Sequence, residues 1–314
     1  MIKKIAVIGA GTMGHGIAET FALYGYSVNL FDVNTEVLNK AKELIREELS
    51  FMAAEEYISA ADVEATLERI ETSTDMAKAV EDRDFVIEAA PEKMELKQQL
   101  LKSLDELAPK DAFLATNTSS LPFAEMCALL GEDRKKRTMV NHWYNPAHLM
   151  PLVELSFFGN MPKELYEEVA TLYASVEKQT AKVLKDVPGL IANRIQQGVA
   201  REAFSLIEKG IAEPSDIDIA LKFGPAFRYA TTGQLEVADF GGLDIWCVVG
   251  DNLLKVMDNS TEANPMLREK VSEGKLGLKS GEGFFKYPPE EVAAIRNKFM
   301  GRLIHQLKAS RKYI

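Results

Sequence analysis

Four histidines, His15, His142, His148 and His305, are the side chains of this sequence that exchange protons near neutral pH. His142 follows the apolar run Thr138-Met-Val-Asn141 and precedes Trp143-Tyr-Asn145-Pro, so it sits where a strand ends. Open α/β sheets bind their ligands outside the carboxyl ends of strands. Glu154 comes twelve residues later, inside Pro151-Leu-Val-Glu-Leu155. A carboxylate within an apolar strand is costly unless it is paired. An imidazole partner removes that cost, and the carboxylate in turn holds one tautomer and stabilises the imidazolium, as an acid/base pair requires. Spacing alone leaves a second reading open: a packed histidine with an unrelated glutamate. His305 lies in a charged C-terminal run and reads as a surface residue, while His15 follows a glycine turn and reads as packing near it.

Two more clusters carry chemistry. The polar run Thr116-Asn117-Thr118-Ser119-Ser120 directly follows an apolar strand. It points to the same sheet edge, where Ser119 can donate to a substrate oxygen. A plain helix N-cap explains the same residue types. Near the start, Gly9-Ala-Gly11-Thr12-Met13-Gly14 is a G-x-G-x-x-G pattern after a strand and ahead of a helix. The first glycine allows the tight turn, the second lets backbone approach a pyrophosphate, and the third permits close packing. The helix N-terminus adds unpaired N–H groups and a partial positive charge. Asp32 ends the next strand, 18 residues after Gly14. A carboxylate there accepts from ribose hydroxyls and repels a 2′-phosphate, which favours NAD over NADP. FAD is the other dinucleotide compatible with the pattern.

These residues need a scaffold. Lys4-Ile-Ala-Val-Ile8, the glycine turn, a helix over 13–25 and Ser27-Val-Asn-Leu-Phe31 form a βαβ unit. Residues 35–69 read as two helices with a break around Tyr57–Ala61, a helical hairpin. Strands resume at Phe85–Glu88, Ala112–Thr116, Thr138–Asn141, Leu152–Leu155 and Ala181–Leu184, separated by helices at 93–107, 122–130 and 162–178. That alternation predicts a mostly parallel sheet in an α/β domain. After Asp186-Val-Pro-Gly189 no strand is expected. Helical runs at 190–209, 215–222, 243–257 and 289–310 predict an all-α second domain. The boundary falls near residue 187, giving domains over 1–187 and 188–314.

The 314 residues suffice for two such domains. A formal charge of −10, from 37 basic and 47 acidic residues, argues against a nucleic-acid partner, which needs a basic footprint. Cys127 and Cys247 have no metal-ligand spacing, so no metal is expected, and two lone thiols suit a reducing compartment. No apolar run reaches the roughly 18–20 residues of a membrane helix. The chain opens straight into its first strand, which reads as having no leader. A cytoplasmic enzyme with a small-molecule substrate is the expectation.

The ordered motifs resemble the L-3-hydroxyacyl-CoA dehydrogenase family over nearly the whole chain. They are Val7-Ile-Gly-Ala-Gly-Thr-Met-Gly-His-Gly-Ile-Ala18, Asn117-Thr-Ser119-Ser-Leu121, His142-Trp-Tyr-Asn145-Pro, Leu152-Val-Glu154, Asp186-Val-Pro-Gly-Leu-Ile-Ala-Asn193-Arg and Lys279-Ser-Gly-Glu-Gly-Phe-Phe-Lys-Tyr287. The resemblance implies a Rossmann-like N-terminal domain, a helical C-terminal domain that forms a homodimer, and a role in fatty acid metabolism. It implies reversible oxidation of a 3-hydroxyl with NAD, with His142 as the acid/base, Glu154 orienting it, and Ser119 and Asn193 on the substrate oxygen. It places Asp32, Glu92, Lys97, Asn117, Asn145 and Lys279 around the cofactor with the glycine turn.

Family frequency makes a short 3-hydroxyacyl-CoA, such as 3-hydroxybutyryl-CoA, the leading substrate. Two local features lean toward a free 3-hydroxy acid. Residues 43–69 carry eight acids against Arg46 and Arg69, a poor surface for anionic CoA. Residues 224–236, Gly-Pro-Ala-Phe-Arg228-Tyr229-Ala-Thr-Thr-Gly233-Gln-Leu-Glu, and the Trp143-Tyr144 pair resemble the branch that includes carnitine and gulonate dehydrogenases, and a pyridoxine-breakdown dehydrogenase. Arg228 can hold a substrate carboxylate as a bidentate fork, although a surface arginine reads the same way. A rival from another class is a catalytically silent NAD-binding structural protein. The intact set of Ser119, His142, Glu154 and Asn193 argues against it.

Overall fold

The computed structural model describes residues 2–312. The chain divides into two compact units, the first ending at Ile191 and the second beginning at Ala192.

In the first unit, β1 (Lys4–Ile8) leads through the glycine turn into α1 (Gly14–Leu23) and β2 (Ser27–Phe31). The hairpin α2 (Thr35–Ala54) and α3 (Ala60–Glu68) follows, then β3 (Ile70–Ser73), α4 (Met76–Val80), β4 (Phe85–Glu88), α5 (Met94–Leu107) and β5 (Phe113–Thr116). After α6 (Phe123–Met126) and α7 (Glu132–Lys135) come β6 (Thr138–Trp143), β7 (Leu152–Ser156), α8 (Lys163–Ala174) and β8 (Gln179–Val183). The strands form one sheet in the order β3-β2-β1-β4-β5-β6-β7-β8. Neighbours are parallel except β6 and β7, which run antiparallel.

Alternation along β1 accounts for both sheet faces. Ile5 and Val7 join the core under α1 and α2, while Ala6 and Ile8 join the one under α4 and α5. A strand covered on both sides reads as a continuous apolar run, as Ile-Ala-Val-Ile does. In α2 the buried stripe is Leu38, Ala41, Ile45, Leu49 and Met52, at helical spacing. The Asn34 side chain accepts from Glu36 N–H at its start. At the start of α3 the Asp62 carboxylate accepts from Ser59 N–H at 2.7 Å.

The parallel sheet, the hairpin and the helical second unit agree with the pattern in the residues. The differences are local. β3 escapes sequence reading because only Ile70 of its four residues is buried, as an edge strand allows. The run expected as a helix over 122–130 is helical only at Phe123–Met126.

The second unit contains α9 (Ala192–Glu208), α10 (Pro214–Phe223), α11 (Pro225–Tyr229), α12 (Gln234–Gly241), α13 (Leu243–Leu253), α14 (Pro265–Ser272) and α15 (Val292–Ser310). α11, α12 and α14 are too short to show a clear apolar period. Isolated bridges join Gly277 to Glu282 and Glu282 to Lys286. Among the described residues no helix is long and apolar enough to cross a membrane.

Behind β6 the Tyr173 hydroxyl donates to Asn141 Oδ1 at 2.6 Å and accepts from Trp143 Nε1 at 3.3 Å. All three side chains are buried. Tyr173→Phe leaves two buried polar groups without this partner. It is expected to cost about 1–3 kcal/mol, read as a lower midpoint in urea with an unchanged slope.

Candidate active site

The opening turn is shaped by sterics. Gly9 has φ +104°, and a Cβ there would lie 2.9 Å from Ala89 O. A Cβ on Gly14 would lie 1.7 Å from Gly9 O. Gly11 differs: a Cβ there meets no protein atom within 4 Å. Protein packing therefore explains the first and third glycines and not the second. Thr12 is exposed and Met13 half-buried at the mouth of α1. Asp32 closes the turn from the side, accepting from Ala10 N–H at 3.0 Å and from Asn34 N–H at 3.1 Å. Its carboxylate is half-buried and keeps lone pairs for further donors.

Next to this turn, the end of β4 carries a buried polar network. Lys97 donates to both oxygens of Glu88 at 2.8 and 2.9 Å and to Ala90 O at 3.3 Å. Thr116 Oγ1 also donates to Glu88. Lys97 is 1% exposed. It therefore presents no ammonium at a surface and acts on its surroundings through the Glu88 network and Glu92, 3.4 Å away. Glu92 holds the 118–120 turn, accepting from Thr118 Oγ1 at 2.6 Å and from the N–H groups of Ser119 and Ser120 at 2.9 and 3.2 Å. Burial opposes its ionisation, yet these donors and Lys97 hold the carboxyl below its usual range. Ser119 is partly exposed, with its carbonyl accepting from Gly189 N–H. Asn117 Oδ1 accepts from Trp143 N–H at 2.8 Å, tying this turn to the strand that bears His142.

The antiparallel register pairs His142 with Glu154 directly across β6 and β7. Cross-strand partners share one sheet face, and His142 Nδ1 lies 2.7 Å from Glu154 Oε2. The other oxygen accepts from Ile191 N–H at 2.8 Å. Glu154 is wholly buried and His142 is 6% exposed. With Nδ1 committed to the carboxylate, Nε2 is the nitrogen left for proton exchange. The Tyr144 ring packs edge-on to the imidazole, with centroids 5.1 Å apart. Burial and the Glu154 charge push its hydroxyl up to about 12, so it stays protonated as a donor. Asn145 is exposed just beyond.

Asn193, Arg228 and Lys279 belong to the second unit. Asn193 lies in the first turn of α9, Arg228 is exposed on α11, and Lys279 is exposed in the turn that precedes Ser280. The structure thus brings together Asp32 with the glycine turn, Glu92 with Lys97 and Ser119, and His142 with Glu154. His305 is exposed.

Sequence reasoning missed one cluster. His15 is buried, with Nδ1 2.7 Å from Gly11 O and Nε2 3.4 Å from Glu48. Glu19 and His148 are buried beside Glu48. Nothing in the spacing of residues 19, 48 and 148 signals that they meet.

Comparison with known proteins fits this geometry. The family described as 3-hydroxyacyl-CoA dehydrogenase, NAD binding domain, matches residues 4–187, and its C-terminal domain matches residues 189–287. The chain is 31% identical over 307 residues to 5-formyl-3-hydroxy-2-methylpyridine 4-carboxylate 5-dehydrogenase of Mesorhizobium japonicum, covering 97% of each. It is 36% identical over 287 residues to a probable 3-hydroxybutyryl-CoA dehydrogenase of Bacillus subtilis, covering 91% of this chain and 98% of the relative. A crystal structure of the pyridine 5-dehydrogenase, described as an NAD+ dependent dismutase, superimposes with a TM-score of 0.90 at 30% identity, covering 99% of both chains.

Proposed function

Because the chain belongs to the 3-hydroxyacyl-CoA dehydrogenase family, an NAD-dependent group acting on CH–OH, we propose that it oxidises the carbinol of a small free carboxylate that carries no CoA. The observation behind this reading is the charge of the α2–α3 hairpin. Glu43, Glu47, Glu56, Glu64 and Glu68 are exposed there. Arg46 is paired with Glu64, and Arg69 donates to Ala22 O at 3.1 Å. Lys40 and Lys42 are exposed on α2 as well, but the acids outnumber the bases and both arginines are engaged, so a polyanionic CoA tail would meet a net negative field. The near-complete overlap with the pyridine carboxylate dehydrogenase supports the same reading. A short 3-hydroxyacyl-CoA is the second reading, favoured by 36% identity to the Bacillus subtilis relative.

The residues divide the work. His142 Nε2 takes the hydroxyl proton as the carbinol oxidises, and returns it in the reverse direction. Glu154 stabilises the imidazolium that forms. Ser119 donates to the substrate oxygen. Bound NAD would supply the hydride acceptor for the carbinol carbon. Gly9, Gly11, Thr12, Met13 and Gly14 would hold its pyrophosphate and Asp32 its ribose, with Asn117 and Asn145 as further contacts. Glu92 and Lys97 support that arrangement from behind.

The test is NADH formation with a panel of carnitine, 3-hydroxybutyrate, an aromatic carboxylate bearing an aldehyde or hydroxymethyl group, and 3-hydroxybutyryl-CoA. Juxtaposed like charges cost several kcal/mol, so the CoA ester should be poorer in kcat/KM by roughly 100-fold or more. Preference for the CoA ester would overturn the free-acid reading in favour of the second.

Asp32→Ala should weaken NAD binding by roughly 10–100-fold, the worth of a charge-assisted hydrogen bond, and narrow the preference over NADP. Fluorescence titration with both cofactors measures this.

A homodimer belongs to the proposal. In α10, α11, α13 and α14 no residue is buried, while Phe223, Phe227, Leu235 and Phe240 are 74, 69, 82 and 82% exposed. Apolar surface on this scale suits a partner copy. Sedimentation equilibrium reads it directly.

A further inference from the structure

The buried cluster that no step above uses has the composition of a cation site. Glu19 on α1, Glu48 on α2 and His148 on the β6–β7 connection bring one ligand atom each to within 4.8 Å of one another. His148 Nδ1 is 3.4 Å from Glu48 Oε2 and 4.0 Å from Glu19 Oε2. Both oxygens of Glu19, Oε2 of Glu48 and both ring nitrogens of His148 have no hydrogen-bond partner. Glu19 is wholly buried and the His148 side chain is 2% exposed. Two carboxylates and an imidazole this deeply buried are a costly arrangement unless a proton or a cation joins them.

We propose that Glu19, Glu48 and His148 bind one divalent transition-metal ion, with zinc as the fitting case. Two carboxylates match its charge, and the imidazole disfavours magnesium and calcium, which take oxygen ligands. Zinc bonds of 2.0–2.2 Å set ligands about 3.4 Å apart in a tetrahedron. The His148–Glu48 edge already has that length, and the His148–Glu19 edge must close by about half an ångström. His15, 3.4 Å from Glu48, orients that carboxylate from outside the ligand set. Glu48 is 19% exposed and gives the ion its entry. Lys178 is the nearby cation. Its ammonium is bound to Ala147 O and Met150 O, and burial pushes it down to about 7. Burial likewise drives the Glu19 carboxyl well above its usual range, so a proton on Glu19 is the state the metal must displace. The ion would fasten α1, α2 and the β6–β7 connection together, a staple within the dinucleotide-binding unit.

The full-length protein, stripped with a chelator and dialysed, is titrated with Zn2+ and, separately, with Co2+. One equivalent per chain should survive gel filtration, and the melting midpoint should rise with added Zn2+ by mass action. The cobalt form should show visible d–d bands without thiolate charge-transfer absorption. Glu48→Gln and His148→Gln should each weaken binding by roughly tenfold or more, given that even outer-sphere partners are worth roughly 10–100-fold. Glu48 is partly exposed, so Glu48→Gln serves if His148→Gln does not fold. Failure of the unmodified chain to retain either metal, thiolate bands in the cobalt form, or undiminished binding by Glu48→Gln would each overturn the site.

Discussion

His142→Asn is expected to lower turnover by roughly 10²–10⁴-fold while NAD still binds. The asparagine amide can still donate toward Glu154, so the buried carboxylate is not left alone and the fold is kept. What disappears is the nitrogen that takes the proton. The cofactor contacts proposed for the glycine turn and Asp32 lie on other elements, so a cofactor titration should match that of the unmodified chain. The pH dependence of kcat/KM should also lose the limb set by the imidazole. Turnover that survives intact would remove His142 from the acid/base role and leave the 2.7 Å pair with Glu154 as a structural contact.

The second large effect separates two glycines three residues apart. Gly14→Ala forces a Cβ to 1.7 Å from the Gly9 carbonyl oxygen and 2.8 Å from its carbon. Both are backbone atoms of the strand-to-helix turn, so no flexible side chain can yield. The loss belongs in the upper tail for single substitutions, about 4–5 kcal/mol, and should appear as a large fall in melting midpoint. Gly11→Ala meets nothing within 4 Å and should leave that midpoint unchanged. Its methyl would instead stand where a pyrophosphate must approach the backbone, so NAD binding should weaken. A Gly14→Ala protein as stable as its parent would contradict the geometry of the turn. A Gly11→Ala protein with undiminished NAD affinity would contradict the phosphate assignment.

Much of this was legible in the chain because the signals are short-range. The continuous apolar run Ile5–Ile8 before a glycine turn marks a strand buried on both faces, and the long stripe of α2 states which of its faces is apolar. Edge strand β3, with one buried residue, carries almost no such signal. Lys97 illustrates a different gap. Family resemblance places it around the cofactor, and nothing near it in the sequence shows that α5 packs its ammonium onto Glu88. Polar pairing of this kind depends on which elements neighbour one another, which no local pattern encodes.

By itself the sequence determined the α/β architecture, the dinucleotide turn with Asp32, and the candidacy of His142 and Glu154, because each is written within a few consecutive residues. Only the tertiary structure decided that β6 and β7 run antiparallel with His142 opposite Glu154, and that Glu19, Glu48 and His148 share one buried spot. Strand register and helix docking are set by the packing of the whole unit. Side chains a hundred positions apart therefore acquire partners only when the core has closed around them.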